Sequence, residues 1–238
     1  MYTVLFDIDG TLVNTGGAGK DAFRRTFQED FRFTQLPDNV TFAGRSDRAI
    51  AEEIMLACNV EPTETNWNHF YSGYTKRLPH SLMTCQGTIL PGVSTLLETL
   101  KKLDHVQLGI LTGNVQQGAR EKLRYYGMAD LFEFGGFGDM RTDRNDIAAD
   151  AQQAAIDFHK NHGGHQNGQG SPKIMVIGDT PNDVRCARSI NAFAVAVATG
   201  GNTFQELAAT QPDLLLQDLT EPTAIYKEVH SYSSNGAT

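Results

Sequence analysis

Three short apolar runs, Val4–Phe6, Val106–Leu111 and Lys173–Ile177, each stop abruptly at a cluster of polar groups. Runs of this length bounded by turn residues are buried strands. Between and after them lie stretches with helical periodicity. One carries Val93, Leu96, Leu97, Leu100 and Leu103 on one face, and another carries Ile147, Ala151, Ala154, Ala155 and Phe158. Strands alternating with amphipathic helices predict an α/β protein with a parallel sheet. In such sheets ligands bind at the carboxyl ends of the strands, so the polar groups at those ends carry the functional argument.

The first run ends in Asp7-Ile8-Asp9-Gly10-Thr11. Two acids at a buried strand end repel each other and lose solvation, and a divalent cation is the usual compensator. The third run ends in Gly178-Asp179-Thr180-Pro181-Asn182-Asp183. Asp179 falls at the strand terminus and Asp183 near the start of a helix, with Asn182 as its expected cap and Val184, Ala187 and Ile190 as its apolar stripe. The middle run ends in Thr112-Gly113-Asn114. A hydroxyl and a glycine N–H near a helix start form an anion site, for which phosphate is a common guest. Acids for a metal and donors for an oxyanion therefore sit at the ends of three strands.

Together these motifs resemble those of the haloacid dehalogenase-like hydrolase superfamily, over Tyr2 to about Leu219. The resemblance implies that Asp7 is a nucleophile taking up a phosphoryl group. Asp9 is then a general acid/base whose backbone carbonyl faces Mg²⁺. It also implies that Thr112, Gly113 and Asn114 hold the phosphoryl oxygens, that Asp179 completes the metal site and that Asp183 supports it. The usual third-motif lysine is missing from the matching loop, Gly138–Asp146. Arg144, directly preceding the helix that follows, is assigned the role, since its guanidinium stays charged and binds oxyanions as a fork. Arg141 and Lys173 are the rivals, the latter at the wrong end of its strand. A second carboxylate at Asp9 favours phosphoryl transfer over dehalogenation, because only a departing alkoxide needs a proton.

The stretch between the first two motifs reads as helical. Its stripes are Ala22, Phe23, Thr26 and Phe27, then Ile50, Ile54, Met55 and Cys58, then Phe70, Tyr71, Tyr74 and Leu78. It resembles the family's helical cap. The expected organisation is a Rossmann-like catalytic core over residues 1–15 and 87–238, with helices on both sheet faces, and a mobile cap over 16–86. The cap segment Gly44-Arg45-Ser46-Asp47 is similar to a loop of the phosphoglycolate-phosphatase-like branch. There Arg45 could bind a second anionic group of a small phosphorylated metabolite. A sugar phosphomutase and a catalytically silent binding protein are the alternative readings.

The net charge of −8 argues against a nucleic-acid partner. Cys58, Cys85 and Cys186 form no CxxC pair, which fits a reducing compartment. With no leader-like or spanning apolar segment, a cytoplasmic monomer or homodimer away from membranes is expected. Gly16-Gly17-Ala18-Gly19-Lys20 imitates a P-loop, but Asp21 follows the lysine and Asn14 replaces the first glycine. The histidines and glycines of 159–170 read as a surface insertion.

Overall fold

The computed structural model describes residues 1–37, 40–161 and 172–234, with side chains through Tyr232. From His162 onward, the His/Gly stretch lies outside the described residues up to Ser171. In chain order the elements are β1 (Tyr2–Phe6), β2 (Val13–Asn14), α1 (Ala18–Asp30), α2 (Asp47–Ala57), α3 (Glu64–Thr84), β3 (Thr88–Ile89), α4 (Val93–Leu100), β4 (Val106–Leu111), α5 (Gln116–Tyr125), β5 (Gly135–Gly136), α6 (Arg144–Asn161), β6 (Lys173–Gly178), α7 (Pro181–Ser189), β7 (Phe193–Val197), α8 (Phe204–Ala208), β8 (Leu214–Leu216) and α9 (Thr223–Ser234).

Six strands form one sheet in the order β5-β4-β1-β6-β7-β8, and every pairing in it is parallel. Alternate side chains of β1 enter opposite layers. Val4 and Phe6 pack with α4, α5 and α9 through Leu96, Leu97, Leu123 and Ile225. Leu5 faces α6 and α7 through Ala148, Ala151, Val184 and Ala187. The sheet is thus covered on both faces, as a parallel sheet with apolar strands requires.

The remaining helices, α1, α2 and α3, share a separate apolar cluster. Phe70 is its centre, with ring centroids 4.7 Å from Phe23, 4.9 Å from Phe27, 5.7 Å from Tyr74 and 5.8 Å from Trp67. The α3 helix continues through Pro79 despite the lost N–H. Two short strands not foreseen from the sequence, β2 and β3, pair antiparallel where the chain leaves and re-enters the sheet layer. Beside them Gly16 has φ +63°, and a Cβ there would lie 1.9 Å from the Cys85 carbonyl oxygen, so only glycine fits. Among the described residues no helix is long and apolar enough to cross a membrane.

The separate aromatic cluster leads to a local prediction. Phe70→Ala should cost about 3–5 kcal/mol of stability in these helices. Hydrogen exchange should then rise across residues 18–84 while amides of β1, β4 and β6 stay protected. Equal acceleration in both regions would show that the two cores unfold as one.

Candidate active site

Strand register builds the site. Phe6 pairs with Ile110 on one side and Ile177 on the other. Asp7 therefore leaves the sheet between the ends of β4 and β6, beside Thr112 and Asp179. One carboxylate oxygen from each of Asp7, Asp179 and Asp183 lies within 4.8 Å of the others, and all three residues are buried. Asp183 is held as the N3 residue of α7, accepting from the Thr180 backbone at 3.0 Å and its hydroxyl at 2.6 Å. The cap of α7 is Thr180, not the expected Asn182, because Pro181 already occupies the first helical position. Asn182 instead donates to the Gly44 carbonyl. Thr11 anchors Asp179 at 3.1 Å.

Arg144 enters from the first turn of α6. Its Nη2 donates to Asp183 Oδ1 at 2.5 Å, and its Nη1 lies 3.9 Å from Asp7 Oδ1. The two rivals lie elsewhere: Arg141 pairs with Asp150 and Lys173 with Glu228. Burial, then the charge of Asp183, pushes the Asp7 carboxyl up to about 7, against the pull of Arg144. Burial and the charges of Asp183 and Asp7 likewise push Asp179 well above the carboxylate range. Asp7 Oδ1 and Arg144 Nε are buried without hydrogen-bond partners. Three buried carboxylates facing one guanidinium, with an oxygen and a donor unspent, suit a divalent cation and an oxyanion.

Asp9 belongs to a different cluster. Its Oδ2 accepts from Lys122 Nζ at 2.5 Å and from Asn114 Nδ2 at 2.8 Å, and its Oδ1 from Thr15 at 3.4 Å. Burial alone would raise the Asp9 carboxyl, but the charge and hydrogen bond of Lys122, then Asn114 and Thr15, hold it below its ordinary range. Asn114 Nδ2 also donates to Thr112 Oγ1 at 2.8 Å. With its oxygen so engaged as an acceptor, the Thr112 hydroxyl proton is left to donate toward the acids.

Sequence reasoning missed Lys122, although its place was legible. It shares the buried stripe of α5 with Gly118, Ala119 and Leu123, where a lysine is out of pattern. Asp47 was quoted in the cap loop without a role, yet it lies on the buried stripe of α2 with Ile50, Ala51 and Ile54. Its Oδ2 accepts from Val115 N at 2.9 Å, and its N–H donates to the Gly113 carbonyl at 2.7 Å. Burial pushes its carboxyl up to about 7, with Lys122 pulling the other way. The Gly44–Asp47 loop therefore rests directly on the Thr112–Val115 turn. A Cβ on Gly113 would lie 2.0 Å from the Arg45 carbonyl oxygen, which is why glycine stands there.

These groups line one cavity of about 460 Å³, floored by the acids and roofed by Lys20, Phe23, Phe42, Ile50 and Tyr74. Arg45 also lines it, but its guanidinium is bonded to Glu53 and to the Thr41 and Ala49 carbonyls. Lys20 stands 5.4 Å over the Phe42 ring and, among the described residues, has no ion-pair partner.

Comparison with known proteins agrees with this geometry. A family model described as haloacid dehalogenase-like hydrolase matches residues 4–143, and a second, HAD-hydrolase-like, matches 147–222. A phosphoglycolate phosphatase from Synechococcus elongatus is 28% identical over 221 residues, covering 91% of this chain and 93% of the relative. The pyrophosphatase PpaX from Listeria monocytogenes is 25% identical over 230 residues, covering 95% and 96%. The crystal structure of CbbY from Rhodobacter sphaeroides in complex with phosphate superposes with a TM-score of 0.71 at 19% identity, covering 93% of this chain and 96% of that one. That likeness establishes the fold alone. The match of the first family model to more than half the chain, on a sheet whose strand ends carry its expected acids, makes this protein a member of the haloacid dehalogenase-like hydrolase family.

Proposed function

We propose that the protein is a Mg²⁺-dependent phosphatase that hydrolyses a small phosphorylated metabolite through an aspartyl-phosphate on Asp7. The observation that carries this reading is Asp7 itself. Its Oδ1 is buried and unpartnered, between the cation Arg144 and two further carboxylates. A carboxylate left so exposed to like charge is costly unless it reacts or ligates there. The phosphoglycolate phosphatases among the relatives support this substrate class.

In this mechanism Asp7 attacks phosphorus and the bond to the substrate oxygen breaks. Arg144 presents its unspent Nε and Nη1 to the phosphoryl oxygens, and the Thr112 hydroxyl and Gly113 N–H donate to the same group. Asp9, held charged in the free site by Lys122, must first take up a proton from solvent, which it then gives to the departing alkoxide. It then takes one from the water that attacks phosphorus and frees Asp7. Mg²⁺, bound by Asp7, Asp179, Asp183 and the Asp9 backbone carbonyl, would neutralise the acids and stabilise charge on the transferring group. The roof would limit the access of bulk water to the site. It fits a leaving group of few atoms, and Arg45 would bind a second anionic group by exchanging Glu53 for the substrate.

The reading is tested by phosphate release from a panel of phosphorylated metabolites with and without Mg²⁺. Magnesium-dependent release is expected, best on small substrates carrying a second anion. Bisphosphate-dependent isomerisation without release would indicate a mutase, and no turnover a silent protein. Asp7→Asn should abolish turnover. Asp9→Asn should lose about 10²–10⁴-fold in kcat while still binding Mg²⁺.

Arg144→Ala should raise the barrier by about 3 kcal/mol in a folded protein, and Arg144→Lys should restore only part of the rate. Arg141→Ala should be indistinguishable from the parent. Inactivity of Arg141→Ala beside an active Arg144→Ala would reverse the assignment.

The acid cluster also predicts a pH dependence. Asp7 binds its proton more tightly in the folded chain, at about 7, than at the ordinary 3.8. The folded state therefore holds more protons, and metal-free stability should fall as pH rises from 3.8 to about 7. Ligands must be deprotonated to bind metal. Added Mg²⁺ should thus raise Tm more above that range than within it. A gain independent of pH, or unchanged in Asp179→Asn, would contradict metal binding at these carboxylates.

A further inference from the structure

The phosphatase reading uses Asp7, Asp9, Thr112 and Arg144 but gives no work to the buried ammonium beneath them. Lys122 is 3% exposed, and its Nζ donates to Asp9 Oδ2 and Asn114 Oδ1, both at 2.5 Å. A buried lysine is retained only where its charge is matched and its donors are used. The groups facing it are Asp9 and Asn114 from the strand-end turns and, through space, Asp47 from α2. From above, α1 packs so closely that a Cβ on Gly19 would lie 3.6 Å from Nζ.

We infer that Lys122 is a positioning residue that, together with Asn114, fixes the Asp9 carboxylate for proton transfer. This inference rests on the phosphatase reading and on the role given there to Asp9.

The donor and acceptor inventory makes the arrangement one-way. An ammonium only donates, so the Asn114 carbonyl oxygen must face Lys122. Its amide nitrogen must then face Asp9 and Thr112, where it donates at 2.8 Å to each. Lys122 thus orients Asn114, and both donors converge on Oδ2 of Asp9. Oδ1 keeps only the long bond from Thr15 and is the oxygen left to exchange a proton. A carboxylate pinned through one oxygen loses the freedom to turn away from the leaving group, and such orientation is a large part of the rate advantage in proton transfer.

Lys122 does not touch the reacting atoms, so a single variant would not separate positioning from general support of the fold. A double-mutant cycle on kcat/KM with an alkyl phosphate does. Lys122→Met should lower kcat/KM at least about tenfold in the parent, with KM nearly unchanged, and less than about threefold in Asp9→Asn, where there is no proton donor left to position. Lys122→Gln keeps a donor within reach of Asp9 and should recover part of the loss. If Lys122→Met does not fold, the same cycle is run with Lys122→Gln. Equal losses in both backgrounds, or none in either, would overturn the inference. A parent inactive on the whole metabolite panel would instead overturn the phosphatase reading, so the two failures are distinguishable.

Discussion

Like-charge repulsion among Asp7, Asp179 and Asp183 is the constraint around which the site is built. Three carboxylates sit within 4.8 Å of one another, buried at the ends of adjacent parallel strands. The fold tolerates them by surrounding each with donors. Thr11 serves Asp179, the Thr180 cap serves Asp183, and Arg144 spans Asp183 and Asp7. The compensation is incomplete, since the one guanidinium reaches Asp183 and Asp7 but not Asp179, and Asp7 Oδ1 receives no bond. That remaining electrostatic cost is what the proposed cation and the proposed reaction on Asp7 would relieve.

Asp9 shows the opposite solution only two residues away. It is given its own cation, Lys122, and its carboxyl is held low while Asp7 is raised. Held as a carboxylate, Asp9 suits the base half of the proposed acid/base role, accepting a proton from the attacking water. The α2 helix contributes through Asp47, whose backbone and side chain both bond the Gly113–Val115 turn. The roof over the cavity and the Thr112–Val115 turn are therefore mechanically one unit in this conformation. In the proposed organisation, β2, β3 and Gly16 form the narrow connection about which the cap opens as a body.

Much of the core was legible because its periodicity was uninterrupted. The run over Val106–Leu111 coincides with β4, and those over Val4–Phe6 and Lys173–Ile177 fall within β1 and β6. What escaped was short or non-local. The strands β2, β3 and β5 have two residues each and no period to detect. The cap of α7 was misplaced onto Asn182 because Pro181 was not used as a helix-start signal. Arg144 was identifiable from its place beside a helix. Its bond to Asp183 depends on residues 39 positions apart, which only the sheet brings together. Lys122 and Asp47 were hidden for the same reason, since their partners lie on other elements. Each nevertheless left a trace, a charged residue on an otherwise buried helical stripe.

The central claim is that the phosphoryl group passes through Asp7. It is tested most directly by quenching a single turnover of the Asp9→Asn enzyme with acid, where breakdown of the phosphoenzyme is slowed. The trapped acyl phosphate is then reduced with borohydride and the labelled residue is located by peptide mass spectrometry. The account predicts modification at Asp7 and nowhere else, absent when Asp7→Asn is combined with the same variant. Label on any other residue, or undiminished phosphate release from Asp7→Asn alone, would contradict it.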